Sequence, residues 1–242
     1  MHGFTQTGRS WDPLVAPFAS AGFTVHAPDL AGHGRCSDLD LDVDGDGRRL
    51  AAALGPAVWV GYSLGGRTCL HAALAVPGAV RGLVLVSASP GIEDGAERSA
   101  RRRSDDELAA SIESAGDAGL PAFVDRWLSG PLWAGLSRDA AGVPARLENR
   151  AAGLASSLRH AGTGTQAWLL DRLGTITVPT LIVSGAADTK FTDLGRRMAT
   201  AIGDNAAAFV VPGAGHAVPW EQPVPFTEGV VAWLHRHGFL TR

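Results

Sequence analysis

The chain has 242 residues, 45% of them hydrophobic and 19% charged, which is enough to bury one large core or two modest ones. Its formal charge is -3, so nothing global points to nucleic acid or to an anionic membrane surface. Two cysteines make no disulfide framework, and the absence of a signal peptide or a bilayer-long apolar run predicts a cytoplasmic protein.

The predicted elements run in chain order from a loop at Gly3 to Gly8. A helix starts at Trp11-Asp12-Pro13-Leu14 and runs to about Ala21, then a strand follows over Phe23–Ala27, and a turn from Pro28 to Gly34. Asp38 to Gly47 reads as an acidic loop, and Arg48–Leu54 as a short helix. Asp40, Asp42, Asp44 and Gly45 imitate a calcium loop, but the twelfth position is Ala51, where a bidentate glutamate is required, so that reading is rejected. Ala57–Gly61 is a β-branched, buried strand, and a helix starts near Arg67. Gly82–Ser87, Thr180–Ser184 and Ala207–Val211 supply further strands, and Phe226–His235 a closing helix. This alternation predicts an α/β fold with a mostly parallel sheet flanked by helices. Between residues 89 and 173 no strand pattern appears. Helical runs at Arg98–Ala115, Leu120–Leu128 and Arg146–His160 predict a cap inserted between two parts of one core, 1–88 and 174–242.

Chemistry enters at Gly61-Tyr62-Ser63-Leu64-Gly65, a Gly-x-Ser-x-Gly between a strand and a helix. Such a turn lifts a serine hydroxyl to the head of a helix. A serine needs a histidine to take its proton, and the histidine needs a carboxylate to hold its tautomer. Asp188 lies just past the Thr180–Ser184 strand, and His216 lies in a glycine-rich loop after the last strand, in the order serine, acid, histidine. His235 and His237 fall at the end of the last helix, and His71 and His160 within helices, where packing or surface roles suffice. Backbone N–H groups of Leu64 and Phe4 are the candidates for an oxyanion hole. Arg67, one helical turn past Ser63, is an unusual neighbour for a nucleophile. A guanidinium there suits a carboxylate-bearing substrate through its two-pronged fork.

With these residues in place, the chain resembles the α/β-hydrolase superfamily. Within it, the chain is similar to the 2-succinyl-6-hydroxy-2,4-cyclohexadiene-1-carboxylate synthases of menaquinone biosynthesis. The matching residues are His2-Gly3-Phe4 with Trp11, the elbow Gly61 to Arg67, and Ser89-Pro90-Gly91-Ile92 with Glu97, Arg98 and Arg101. Further on, Trp127, Pro131-Leu132-Trp133, Arg146 and Asn149 match, as do Asp188-Thr189-Lys190-Phe191 and Gly215-His216. The resemblance implies a carbon–oxygen lyase that eliminates pyruvate from 2-succinyl-5-enolpyruvyl-6-hydroxy-3-cyclohexene-1-carboxylate, with the triad serine as base. It implies Arg67, Arg101 and Arg146 as carboxylate clamps and Tyr62 and Trp127 as pocket walls, with no metal or organic cofactor. Two other readings are a serine hydrolase (a carboxylesterase or lactonase for small acidic esters) and a silent binding protein on the same fold. Plainer readings also exist for single residues: Arg101 lies among Asp105, Asp106 and Glu107, where local ion pairs suffice, and Trp127 and Trp133 could be cap core. The chain departs from the family at its start. The strand that precedes His-Gly, between Phe23–Ala27 and Val58–Gly61, has no counterpart before Met1, which predicts a gap in the sheet and further N-terminal residues in the natural chain. The oligomeric state is open.

Overall fold

The structure, a computed structural model, describes residues 1–239. Four strands form one parallel sheet in the order β1 (Ala57–Tyr62), β2 (Val80–Val86), β3 (Thr180–Gly185) and β4 (Ala206–Val211). Alternate side chains leave the sheet on opposite faces. Trp59, Leu83, Leu85 and Ile182 go to one face, under α2 (Val43–Leu54), α3 (Leu64–Ala75) and α8 (Thr189–Ile202). Val84, Val86, Leu181 and Val183 go to the other, against α1 (Asp12–Ser20) and α10 (Pro223–Arg236). Covering both faces explains why β2 and β3 read as unbroken apolar runs rather than as alternating ones.

Residues 89–173 contribute no strand. They carry α4 (Gly95–Ala115), α5 (Leu120–Leu128), the short α6 (Val143–Arg146) and α7 (Ala151–Ala161). Ala109, Ile112, Leu120, Phe123, Leu154 and Leu158 form a core of their own between these helices. Phe4 and Trp127 pack against that core from the crevice side.

Three elements differ from the sequence reading. The acidic loop is shorter than expected, because α2 begins at Val43 rather than Arg48. Asp42 caps it by accepting from the Gly45 N–H at 2.7 Å, and Asp44 and Asp46 complement the positive end of its dipole. The run expected over Arg146–His160 is two helices, broken at residues 147–150 where Asn149 turns inward. Phe23–Ala27 keeps the alternation of a strand, with Phe23, Val25 and Ala27 turned to the core, but it belongs to no ladder. A strand needs a neighbour, and none lies beside it. The expected gap is an apolar cavity of about 400 Å³ lined by Phe23, Val25, Val58, Val60 and Met1 among others. Along the β1 side of the cavity Met1 donates from its amino group to Val60 O at 2.6 Å and accepts from Tyr62 N–H at 3.0 Å.

Candidate active site

Every strand is parallel, so the loops at the carboxyl ends gather on one edge of the sheet. Ser63 follows β1 there, with φ 51° and ψ -110°. A non-glycine residue at that φ is strained, and here the strain turns Oγ outward from the elbow. The turn closes only because its flanks lack β-carbons. One on Gly61 would collide with the Gly65 carbonyl, and one on Gly65 with the Met1 carbonyl.

Asp188 follows β3 and His216 follows β4. The two loops are tied by Ala187 N–H to Ala214 O at 2.9 Å and Ala186 N–H to Val211 O at 3.0 Å. His216 Nδ1 lies 2.8 Å from Asp188 Oδ2, and its Nε2 lies 3.4 Å from Ser63 Oγ. The carboxylate can only accept, so Nδ1 carries the proton and Nε2 is the acceptor that faces the serine. The other Asp188 oxygen accepts from Phe191 N–H at 3.3 Å and caps α8, which fixes the carboxylate plane. His216 is 2% exposed, with Phe191, Tyr62 and the cap residue Trp133 at ring distances of 4.5, 5.5 and 5.7 Å. The structure thus brings together the three residues that sequence order singled out.

The N–H of Leu64, directly after Ser63, and the N–H of Phe4 have no acceptor among the described residues. Gly65 N–H donates to His2 O at 3.0 Å and so fastens the elbow to the Phe4 loop. Tyr62 is 1% exposed; its Oη and Trp127 Nε1 are buried and have no hydrogen-bond partner in the described chain. Burial drives the Tyr62 phenol well above its ordinary range, so it stays protonated.

The arginines divide into two kinds. Arg67 is 8% exposed and Arg146 1% exposed, yet neither touches a carboxylate. Arg67 donates to Gln166 Oε1 at 3.1 Å and to Ala161 O at 2.8 Å. Arg146 donates to Ala141 O at 2.7 Å and to the Thr5 hydroxyl, and its guanidinium lies 5.9 Å from the Trp133 ring centre. Burial lowers both guanidinium pKa values to about 10, and Arg101 adds to the effect at Arg67. Both remain cations at neutral pH. Arg101 is different: its side chain is 44% exposed and Nε donates to Asp105 at 2.8 Å along α4. That local pair is the plainer of the two readings the sequence allowed. Asp105 also opposes the lowering of the Arg67 pKa, but it bonds only Arg101.

Sequence reasoning missed Glu221. Its two oxygens accept from Gly215 N–H at 2.6 Å and Ala217 N–H at 2.8 Å, the amides on either side of His216. An acid five residues past a candidate histidine, just before a Pro-started helix, is the only sequence signal, and it looks like an ordinary first-turn residue. The sham calcium loop is accounted for otherwise, with Asp42 capping α2 and Asp44 paired to Arg48. No cluster of three metal-ligating side chains occurs among the described residues.

A strained serine at the head of a helix, a buried histidine–aspartate pair across from it, and a parallel sheet beneath define an α/β-hydrolase architecture. The alpha/beta hydrolase family model matches residues 1–228, and this chain belongs to that family. The 2-succinyl-6-hydroxy-2,4-cyclohexadiene-1-carboxylate synthase of Escherichia coli O1:K1 / APEC is 30% identical over 97% of this chain and 90% of its own. The structure of MenH from S. aureus superposes with a TM-score of 0.90 at 30% identity, covering 98% of this chain and 92% of that one. A thermophilic esterase from Thermogutta terrifontis shares the fold, with a TM-score of 0.80 at 22% identity over 98% of this chain and 88% of its own.

Proposed function

We propose that this chain is a pyruvate-eliminating lyase, a 2-succinyl-6-hydroxy-2,4-cyclohexadiene-1-carboxylate synthase acting on the enolpyruvyl precursor in the cytoplasm. The observation that carries the reading is the pair of buried guanidiniums, Arg67 and Arg146, beside a Ser–His–Asp site: Arg146 bonds no carboxylate, and the carboxylate near Arg67, Asp105, bonds Arg101 instead. A buried cation without a counter-ion is costly, and an anionic substrate offsets that cost. A substrate with several carboxylates is what such a crevice selects. A neutral ester leaves both charges unmatched.

The chemistry follows from the geometry. His216 Nε2 takes the Ser63 hydroxyl proton, and Asp188 stabilises the imidazolium through Nδ1. Ser63 Oγ then removes the proton from the substrate carbon beside the succinyl carbonyl. The C–H electron pair becomes an enolate, whose oxygen accepts hydrogen bonds from the Leu64 and Phe4 N–H groups. Collapse of the enolate forms a C2=C3 double bond, moves the ring double bond from C3=C4 to C4=C5, and breaks the C5–O bond to the enolpyruvyl group. His216 returns its proton to that leaving group, which becomes pyruvate, and the triad is restored. No acyl-enzyme is formed. Arg67 and Arg146 orient the carboxylates, with Arg101 as an outer clamp that exchanges Asp105 for substrate. Tyr62 and Trp127 offer their unpartnered Oη and Nε1 to the same ligand.

The test is pyruvate release from the enolpyruvyl substrate, read through coupled lactate dehydrogenase. Stoichiometric pyruvate is expected. Hydrolysis of a nitrophenyl ester without pyruvate release would make the chain an ester hydrolase, and a folded protein with neither activity would make it a binding protein.

A further inference from the structure

The loop that carries Phe4 is a tight turn closed by Gln6 N–H to Gly3 O at 3.1 Å. Gln6 also accepts the Gly3 N–H through Oε1 at 2.8 Å. Thr5 is the third residue of this turn and has φ 66°. A turn with positive φ at that place ordinarily takes glycine. A β-branched residue is a poor occupant, because its β-carbon crowds the backbone there and its χ1 is restricted. Something outside the turn must hold Thr5 in place.

The holder comes from the cap. Asn149, in the break between α6 and α7, is 4% exposed. Its Nδ2 donates to Thr5 O at 2.7 Å and to Arg146 O at 2.9 Å. Its Oδ1 accepts from Gly34 N–H at 2.9 Å. Arg146 meanwhile reaches the Thr5 hydroxyl. One amide therefore joins the cap, the Phe4 turn and the loop at Gly34, with both its oxygen and its nitrogen in use. Asn149 has no bond to Ser63 or His216, so any effect on the reaction passes through Thr5.

We propose that Asn149 is a positioning residue for the oxyanion hole: it braces Thr5 at positive φ, and so aims the adjacent Phe4 N–H at the developing oxyanion. The inference rests on the role given above to Phe4 and Leu64. It adds a dependence on the cap: the hole is complete only while the α6–α7 junction is seated on the core. Lifting that junction releases Thr5 and removes one of the two donors.

The experiment sets Asn149→Ala against Thr5→Gly, because glycine takes φ 66° without a brace. In the wild-type background Asn149→Ala should lower kcat by about 10- to 100-fold, less than the full loss of an oxyanion donor, with KM changed by less than about threefold. In the Thr5→Gly background the same substitution should cost about threefold or less in kcat. A merely structural role predicts equal losses in both backgrounds. That result, or a rise in KM at constant kcat, overturns the proposal. Should Asn149→Ala not fold, Asn149→Asp keeps the acceptor for Gly34, loses the donor to Thr5, and is read in the same two backgrounds. A wild-type chain that hydrolyses an ester but releases no pyruvate removes the proposed reaction, and the comparison is then read on the ester. A wild-type chain inert to both overturns both.

Discussion

The hydrolase core and the cap meet at one crevice but treat charge in opposite ways. On the core side, Asp188, His216 and Ser63 form a closed chain in which each polar group has a partner. Around it, Arg146 from the cap and Arg67 from the elbow helix are buried against carbonyls, a hydroxyl and an amide, with no carboxylate bonded to either. A balanced site can run its chemistry on any substrate that fits. An unbalanced wall decides which substrate fits, because the missing charge has to arrive with it. On the proposed function, the fold supplies the reaction machinery, and the cap with the elbow arginine selects an anionic substrate.

The sharpest way to break this comparison is to remove the balanced half. Ser63→Ala should lower kcat for pyruvate release by at least about 10³-fold and leave substrate affinity close to wild type, as loss of a triad member does elsewhere. Calorimetric binding of the intact substrate to Ser63→Ala checks the second part. Loss of binding along with turnover would mean that the serine holds the substrate, and the division between halves would fail.

Glu221 tests whether the balanced half needs its support. Removing the carboxylate frees Gly215 N–H and Ala217 N–H and loosens the backbone that aims His216. Glu221→Ala should cost about 10- to 100-fold in kcat with little change in KM, by the sensitivity of catalysis to small misplacements. Glu221→Gln keeps one acceptor oxygen and should recover part of the loss. Steady-state kinetics of the two variants side by side decide it, and equal activity of Ala and Gln variants would rule out the double-amide grip.

The unbalanced half should respond in the other parameter. Arg67→Ala removes a charge-assisted contact, a loss of about 1.5–3 kcal/mol, so KM for the anionic substrate should rise about 10- to 100-fold. Turnover of a small neutral ester, if any, should change little. Arg67→Lys keeps the charge without the planar fork and should fall between. An Arg67→Ala enzyme with wild-type KM would remove the cationic wall from the substrate site.

Much of this arrangement was legible before the coordinates. Ser63, Asp188 and His216 each follow a strand, and chain order alone separates them from His71, His160, His235 and His237. Arg67 stands out because its residue type is unusual at the elbow. What was not legible depends on partners far along the chain. Nothing local in Arg67 says that its guanidinium will meet Gln166 and the Ala161 carbonyl. Glu221 has the appearance of a helix-start acid until the fold bends Gly215 and Ala217 around it. Thr5 carries no local mark of positive φ, since threonine rarely adopts it, and the brace lies 144 residues away at Asn149. Phe23–Ala27 failed as a strand for the converse reason. Its own pattern is sound, but a ladder is a property of two segments, and its neighbour is a cavity.

Burial also shapes a pair of histidines behind the Phe4 turn, where its effect can be measured without substrate. His2 and His33 are buried, 4.9 Å apart between ring centres. Burial holds both below the ordinary histidine range, the His33 charge adds to the effect at His2, and Arg146 contributes there in the same direction. His33 falls from 6.5 to about 4. Both are therefore neutral in the folded protein at pH 6, while the unfolded chain binds protons there. Below pH 6.5 the unfolded state takes up more protons, so stability is full above that value and falls as the pH drops toward 4, after which the His33 contribution is constant. For one such group the slope is at most about 1.4 kcal/mol per pH unit. Urea unfolding at pH 7.0, 6.0 and 5.0 should show midpoints that fall with pH, and His33→Gln should flatten the fall while leaving kcat at pH 7 within about twofold, since an uncharged ring and an uncharged amide differ little there. A His33→Gln chain with an unchanged pH slope would mean that the ring is not held neutral.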